Sequence, residues 1–404
     1  MRPMEGIRIL EVAQFTFVPA AGAVLADWGA EVIKVEHAST GDGQRGLRQI
    51  GRVRLDGPHN PAFEHPNRGK RSVGLDIATP GGREVLLDLV ETCDVFLTNF
   101  LPDARVRLGI DVADIRERNP DVIYVRGSAL GDLGPEREKG GYDMTGFWCR
   151  GSSAASITPP DSTGLIPQPP AYGDTLGGAV IAGGIAAALL AREKTGQTSE
   201  VDVSLLGLGM WAMGLPIAAT LGREDPWIAP PMGLTAAPTN PTAGVYETSD
   251  GRLLSLMMLQ GYRYWADFCR HIDRPDLISD VRFADAESLA ENAGEAETIL
   301  REVLAGRTLA EWTERFTTLE GQWAPVQNTH EVAADPQARA NGYITEVSAG
   351  DGTFEVVASP VQFDHESPTL QAAPEFAADT EAVLLELGFE WDRIMELKVA
   401  GAIT

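Results

Sequence analysis

Cysteine is scarce in this chain: Cys93, Cys149 and Cys269 are the only three, far apart and without a Cys-x-x-Cys pair. That argues against a disulfide framework and a thiolate zinc site, and it fits a reducing, cytoplasmic compartment. Basic residues are outnumbered, 33 against 58 acidic, which leaves a formal net charge of −25. A field of that sign repels nucleic acid and anionic membrane alike, so neither is an expected partner, and an anionic ligand needs a local basic pocket. The longest charge-poor stretch, residues 175–191, is slightly short for a membrane span and rich in Gly and Ala, so it reads as a buried core helix. The first residues, MRPMEGIRILEVAQF, lack the continuous apolar core of a signal peptide and read as the start of the fold. A Gly-x-Gly-x-x-Gly run is missing after the first strand, which weakens a nicotinamide or flavin reading.

What is present is ordinary globular composition, 44% hydrophobic and 23% charged, on a length of 404 residues that suits two domains. Residues 7–12, 31–36, 72–77, 94–98 and 121–126 read as strands, and 19–28, 81–92 and 112–118 as intervening helices. This alternation predicts an α/β fold with a parallel sheet. A Gly/Pro-rich loop at 127–141, a helix near 144–152 and a proline-rich segment at 158–170 follow; such loops commonly cover a site. Asp174 opens a helix that runs to about Lys194, and a strand at 199–205 and a second helix through Trp211 come next. The texture changes near Pro226, where a proline-rich run precedes a hairpin at 243–248 and 253–258 and helices at 262–273, 286–305 and 309–317. Residues 342–361 read as strands returning to a sheet, and 381–400 as a closing helix. The domains are therefore drawn at 1–220 completed by 335–404, with 226–334 as a smaller unit.

Three constellations could carry chemistry. The turn after the first strand, Gln14 to Gly22, is where a ligand meets a strand end and a helix N-terminus, although a helix start without a ligand has equal claim. Glu36 ends the second strand where a ribose-binding acid would sit. The basic cluster Asn67-Arg68-Gly69-Lys70-Arg71-Ser72, with Asn99, Phe100 and Arg107 past strand ends, could meet phosphate and a stacked purine; solvated surface charge is the plainer reading for any one of them. Finally, Tyr172-Gly173-Asp174 puts an acid at the head of a helix almost free of charge. Capping is the commoner fate of such an aspartate, yet a carboxylate held dry beside glycine is also a competent acyl nucleophile.

Taken together these motifs resemble the family III CoA-transferases, of which acyl-CoA racemases are close relatives. The resemblance spans nearly the whole chain. It rests on Gly6–Val12, Leu25–Glu36, the Asn67–Ser72 cluster with Leu75-Asp76, Asn99-Phe100 with Arg107-Leu108-Gly109, Gly141-Tyr142-Asp143-Met144, Gly173-Asp174, Ala324-Pro325-Val326 and the run from Asp335 to Ala340. It implies a Rossmann-like large domain built from both termini, a smaller inserted α+β domain, and two copies interlinked as a homodimer. It also implies acyl-CoA and carboxylic acid substrates, with coenzyme A thioester as substrate and no prosthetic group or metal. By position, Asp174 falls where the family places its catalytic aspartate, with Tyr142 and Asp143 beside the active site, and Thr16, Phe17, His37, Leu75, Asn99, Phe100 and Arg107 fall on CoA-contacting positions.

Two departures bear on the reaction. Tyr142 stands where the racemases carry a histidine base, and a phenol with a reference pKa of about 10 is a poor base at neutral pH. No glutamate matches the racemase's assisting acid near Gln260. Both favour CoA transfer over α-proton exchange. Elsewhere, His37 replaces a common arginine, and residues 231–240 take the place of a glycine-rich covering loop. An NAD-dependent oxidoreductase and a non-catalytic CoA-binding relative are the remaining alternatives. The apolar stretch from Trp211 to Leu234 suits an acyl pocket and core packing equally.

Overall fold

The Val- and Ile-rich runs of the first half become the strands of one parallel sheet in the computed structural model, which describes residues 1–55, 57, 59–229, 236–237, 239–350 and 352–404. Among the described residues six strands form it: β1 (Arg8–Val12), β2 (Glu31–Glu36), β3 (Arg71–Gly74), β4 (Val95–Thr98), β5 (Ile123–Ser128) and β6 (Glu200–Ser204). Their order across the sheet is 3-2-1-4-5-6, every neighbouring pair parallel. Successive strand residues point to opposite faces, and both faces are covered. Ile9, Val32, Val95 and Ile123 pack on one side with helices α1 (Phe17–Asp27) and α2 (Tyr172–Thr195). Leu10, Ile33, Phe96 and Tyr124 pack on the other with Val85, Leu86 and Leu89 and with Val383, Leu384, Ile394 and Leu397 from the end of the chain.

The Gly/Ala content of α2 sets how closely it approaches α1. A Cβ on Gly178 would lie 2.4 Å from Ala20 Cβ and 2.8 Å from the Ala20 backbone carbon. Only hydrogen fits there, so the two helices touch nearly backbone to backbone, and the head of α2 is drawn toward the turn that starts α1. By length and composition α2 could cross a membrane, but Ile181, Ala182, Ile185 and Ala188 on one face are core residues.

That turn is anchored from beneath by buried charge. The Lys70 ammonium donates to both oxygens of Glu11, at 2.9 and 2.7 Å, and to Pro19 O and Asn67 Oδ1. Lys34 Nζ lies 3.2 Å from Glu11 and 2.9 Å from Asp42 Oδ2, and donates to Ala13 O. All four charged side chains are sealed from solvent. Two acids face two amines, which makes their burial tolerable, although burial pulls the Lys70 ammonium down to about 7. Asp42 Oδ1 then accepts the N–H of Phe15 at 3.3 Å and that of Gln44 at 2.9 Å, and so fixes Phe15 in the left-handed region, φ 66°.

Among the described residues, 159–161, 236–237 and 239–335 form a separate compact unit. Its antiparallel sheet pairs Trp323–Pro325, Leu253–Met257, Asn240–Glu247 and Ala236–Ala237 in that order, over a core that includes Tyr246, Leu256, Trp265, Phe268, Trp312 and Phe316.

The sequence expectations differ from the structure in identifiable ways. The helix expected at 286–305 is two, Ala286–Glu291 and Ala293–Leu304, because the Asn292 side chain donates to Ser288 O and Arg282 O at the break. The closing helix is likewise divided, with Gly388 at φ 88° between Thr380–Glu386 and Trp391–Val399. Residues 342–361 do not return to the large sheet: Ile344–Ala349 and Gly352–Val357 pair only with each other among the described residues. Within 231–240 and the end of the 211–234 stretch, residues 230–235 and 238 lie outside the described residues.

Because Lys70 holds a buried carboxylate, Lys70→Met leaves Glu11 with Lys34 as its one ammonium partner among the described residues. We expect a loss of about 3–5 kcal/mol in urea unfolding. Near-wild-type stability with weakened anion binding would instead mark Lys70 as a ligand contact.

Candidate active site

In an open parallel sheet the natural ligand crevice lies where neighbouring strands send their connections to opposite faces. Here that place is between β1 and β4, and Asn99 bridges it. Its Oδ1 accepts the Gln14 N–H at 3.1 Å and its Nδ2 donates to Gln14 O at 2.7 Å, so the two strand ends are tied. A cavity of about 770 Å³ opens there, with Phe15, Phe17, Asn99, Phe100, Tyr142 and Asp174 among its walls. Phe15 meets Tyr142 edge to face, centroids 5.8 Å apart.

Asp174 does not cap its helix. The structure starts α2 at Tyr172, with Ala171 in the left-handed region at φ 57° as the preceding residue, so Asp174 is the third residue of the first turn. Gly173 is required beside it, since a Cβ there would lie 2.5 Å from the Phe147 ring. The acid that faces Asp174 is Asp143, which is itself buried. Burial holds the Asp143 carboxyl above the ordinary carboxylate range, against the opposing pull of the nearby backbone N–H groups of Asp174, Gly173 and Met144 and of the Gln168 amide.

Asp174 has no such help. Among the described residues no hydrogen bond or ion pair reaches its carboxylate. Burial, and after it repulsion from Asp143, pushes its pKa to about 7. We read the two carboxyls as a pair in which both are raised by burial and Asp174, without a hydrogen-bond donor, bears the larger shift.

The other predicted positions divide. Phe17, Asn99, Phe100 and Tyr142 line the cavity. Thr16 is buried and its hydroxyl accepts from Gln44 Nε2 at 2.9 Å. Leu75 is core, 1% exposed, and bridges to Ile403. His37 is exposed past the end of β2, where its Nδ1 lies 3.3 Å from Ser39 N. Arg107 is exposed on helix Pro102–Leu108, and it is Arg105, two residues earlier, that turns inward to the cavity wall. Arg105 is held by Asp111 at 3.0 Å and Asp132 at 2.9 Å. The basic cluster is committed within the protein: Arg68 pairs with Asp27 at 2.7 Å, and Arg71 with Glu31 at 2.9 Å and Glu386 at 2.7 Å. Glu36 is enclosed by Arg45 and Ser72.

The other cations lining the cavity come from the loop after β5 and the helix Met144–Arg150: Arg137, Lys139 and Arg150. Glu138 pairs with Arg137, and Glu136 with Lys139 and Arg150. These pairs are solvent-exposed and interleaved with acids, so composition gave no signal for them.

Comparison with known proteins adds an independent line. The model of CoA-transferase family III matches residues 4–380. The chain is 32% identical to a probable fatty acyl-CoA transferase of Mycobacterium tuberculosis, covering 95% of this chain and 98% of that one. It is 29% identical to (R)-2-hydroxy-4-methylpentanoate CoA-transferase of Clostridioides difficile, covering 98% of each. Among solved structures, a CAIB/BAIF family protein from Brucella suis superposes with a TM-score of 0.81 at 25% identity, over 95% of this chain and 99% of that chain. The Mycobacterium tuberculosis protein gives 0.78 at 28%, over 94% and 98%.

The position of Asp174 has a consequence for stability. Its folded pKa, about 7, lies above the ordinary unfolded value of about 3.9. Its contribution to stability is therefore whole below pH ~4 and is lost as pH rises through about 7. Asp174→Asn removes that penalty. We expect the variant to exceed wild type by roughly 2 kcal/mol at pH ~8, with the gap closing toward pH ~4, in urea unfolding across pH.

Proposed function

The chain belongs to CoA-transferase family III, and from that premise we propose that it moves CoA from an acyl-CoA donor to a carboxylic acid acceptor through covalent intermediates on Asp174. The enzyme class follows from the family, whose members act on CoA thioesters. The observation that supports Asp174 is its environment: a half-buried carboxyl facing the switch-point cavity, repelled by Asp143 and unpaired among the described residues.

In this reading an Asp174 oxygen attacks the thioester carbonyl carbon, the C–S bond breaks, and CoA leaves as thiolate with an aspartyl mixed anhydride formed. The thiolate attacks the Asp174 carbonyl carbon, the anhydride C–O bond breaks, and the donor acid leaves as carboxylate. The aspartyl-CoA thioester is then attacked by the acceptor carboxylate, and the released thiolate takes the acceptor's carbonyl carbon from the second anhydride. No net proton is gained or lost. Each acylated form of Asp174 is neutral, so burial and repulsion by Asp143 favour acylation for the same reason that they favour protonation.

For CoA itself, Phe17, Asn99 and Phe100 on the cavity wall support the expected contacts. Thr16 and Leu75, held by protein, and His37 and Arg107, outside the wall, have less support. We assign the phosphates to Arg137, Lys139 and Arg150, because exposed ion pairs are worth little and exchange readily for phosphate. Apolar side chains left open to solvent, Leu190, Trp211 and Leu215, support a homodimer, which we take to be interlinked. We further propose a cytoplasmic enzyme whose 226–334 unit is a domain inserted in the large one.

The test is trapping. With a panel of acyl-CoAs and hydroxylamine, peptide mapping should find a hydroxamate on Asp174, absent in Asp174→Asn. The reaction should also show an acid limb near pH 7, falling about tenfold per pH unit below it, as the nucleophile is protonated. Turnover retained by Asp174→Asn would exclude the reading.

A further inference from the structure

The proline-rich segment 158–170 buries little of itself. Residues 163–167 and 169–170 are all exposed, and Gln168 alone among them is buried, at 8% exposure. Proline on both sides, Pro167 and Pro169, limits the backbone there. Upstream the segment is tethered: Trp148 Nε1 donates to Ile166 O at 3.0 Å, and Thr158 Oγ1 accepts the Ile166 N–H at 3.1 Å. The one side chain that the loop sends inward meets the carboxylate behind Asp174. Gln168 Nε2 donates to Asp143 Oδ2 at 2.7 Å.

The other end of the same amide is informative. Gln168 Oε1 is buried without a partner among the described residues. General solvation of a polar group does not explain that placement, since half of the amide gains nothing by it. The donor half does: reversing the amide would set a carbonyl oxygen against a carboxylate. The orientation thus suits an ionised Asp143.

The geometry points to Gln168 as a positioning residue for the acyl-transfer step, holding Asp143 ionised and fixed against the head of α2 so that its charge bears on Asp174. This rests on the reading of Asp174 as nucleophile. The groups facing the pair are few. Asp174 faces Asp143 from α2 and Gln168 faces it from the loop, while Tyr142 and Tyr172 flank the two acids in sequence. Arg150, on the turn that begins after Asp143, is paired with Glu136. Among the described residues no salt bridge reaches either carboxyl.

Gln168→Met removes the donor, and Asp143 then takes a proton more readily. Repulsion on Asp174 falls, so the acid limb of kcat moves to lower pH while kcat drops roughly 10-fold, with KM for the acyl-CoA within about 2-fold. Gln168→Glu behaves differently. Its neutral carboxyl donates as the amide does, but its ionised form repels Asp143, so kcat is near wild type at low pH and falls along a new alkaline limb.

Both full-length variants are compared with wild type in steady-state kinetics between about pH 5 and pH 9, with hydroxylamine trapping in parallel. A shifted acid limb for Gln168→Met and an alkaline limb for Gln168→Glu support the inference. Unaltered profiles in both, or lost kcat with unaltered limbs, overturn it and leave Gln168 as loop packing. Should Gln168→Met fail to fold, the alkaline limb of Gln168→Glu decides alone. If wild type is not trapped on Asp174, the underlying reading fails; if it is trapped and the limbs stay put, only this inference does.

Discussion

A carboxyl group partly withdrawn from water, set beside a second carboxylate and given no cation, is driven to lose its charge. Asp174 is held in that condition, and much of the surrounding structure can be understood as what keeps it there. Protonation is one way to lose the charge. Acylation is the other, and it is the one that the proposed cycle uses at every covalent stage. The environment that makes the free carboxylate costly thus lowers the energy of the anhydride and the thioester relative to it. Helix-cap chemistry would have undone this, and the structure avoids it by placing Asp174 inside the first turn of α2, where its carboxylate accepts no hydrogen bond among the described residues.

Holding a destabilised group needs a scaffold that does not yield. Gly178 lets α1 and α2 approach to where a methyl group would collide, so the head of α2 cannot drift from the β1–α1 turn. The turn is itself fixed by the sealed set of Glu11, Lys34, Asp42 and Lys70. Phe15, kept in a left-handed conformation by Asp42, turns its ring to Tyr142 at the cavity. The left-handed residues Phe15 and Ala171 and the sealed charge set of Glu11, Lys34, Asp42 and Lys70 thus support this crevice.

Much of this was legible in the sequence. Apolar runs spaced by helices gave the parallel sheet, and Gly173-Asp174 before a charge-free run marked the acid. What was not legible depended on partners remote in the chain. The Asn67–Ser72 cluster looked like a phosphate site because Glu11 and Asp27, which bind Lys70 and Arg68, lie 59 and 41 residues away. Arg105 and Arg107 share one short helix, but a spacing of two residues turns them to different sides. Ala171 starts α2 in a left-handed conformation that no feature of alanine advertises, which is why Asp174 looked like a cap. Gln168 sat unnoticed in a loop whose composition suggested only coverage.

The most direct measurement follows oxygen. In the proposed cycle the acceptor's attacking oxygen bridges the second anhydride, and it stays on Asp174 when CoA thiolate takes the acceptor's carbonyl carbon. Turnover with an acceptor acid labelled with oxygen-18 in both carboxylate positions should therefore leave heavy oxygen in the Asp174 side chain, seen by peptide mass spectrometry. Label at Asp174, dependent on both substrates, is the predicted result. Full turnover with an unlabelled Asp174 would contradict the account.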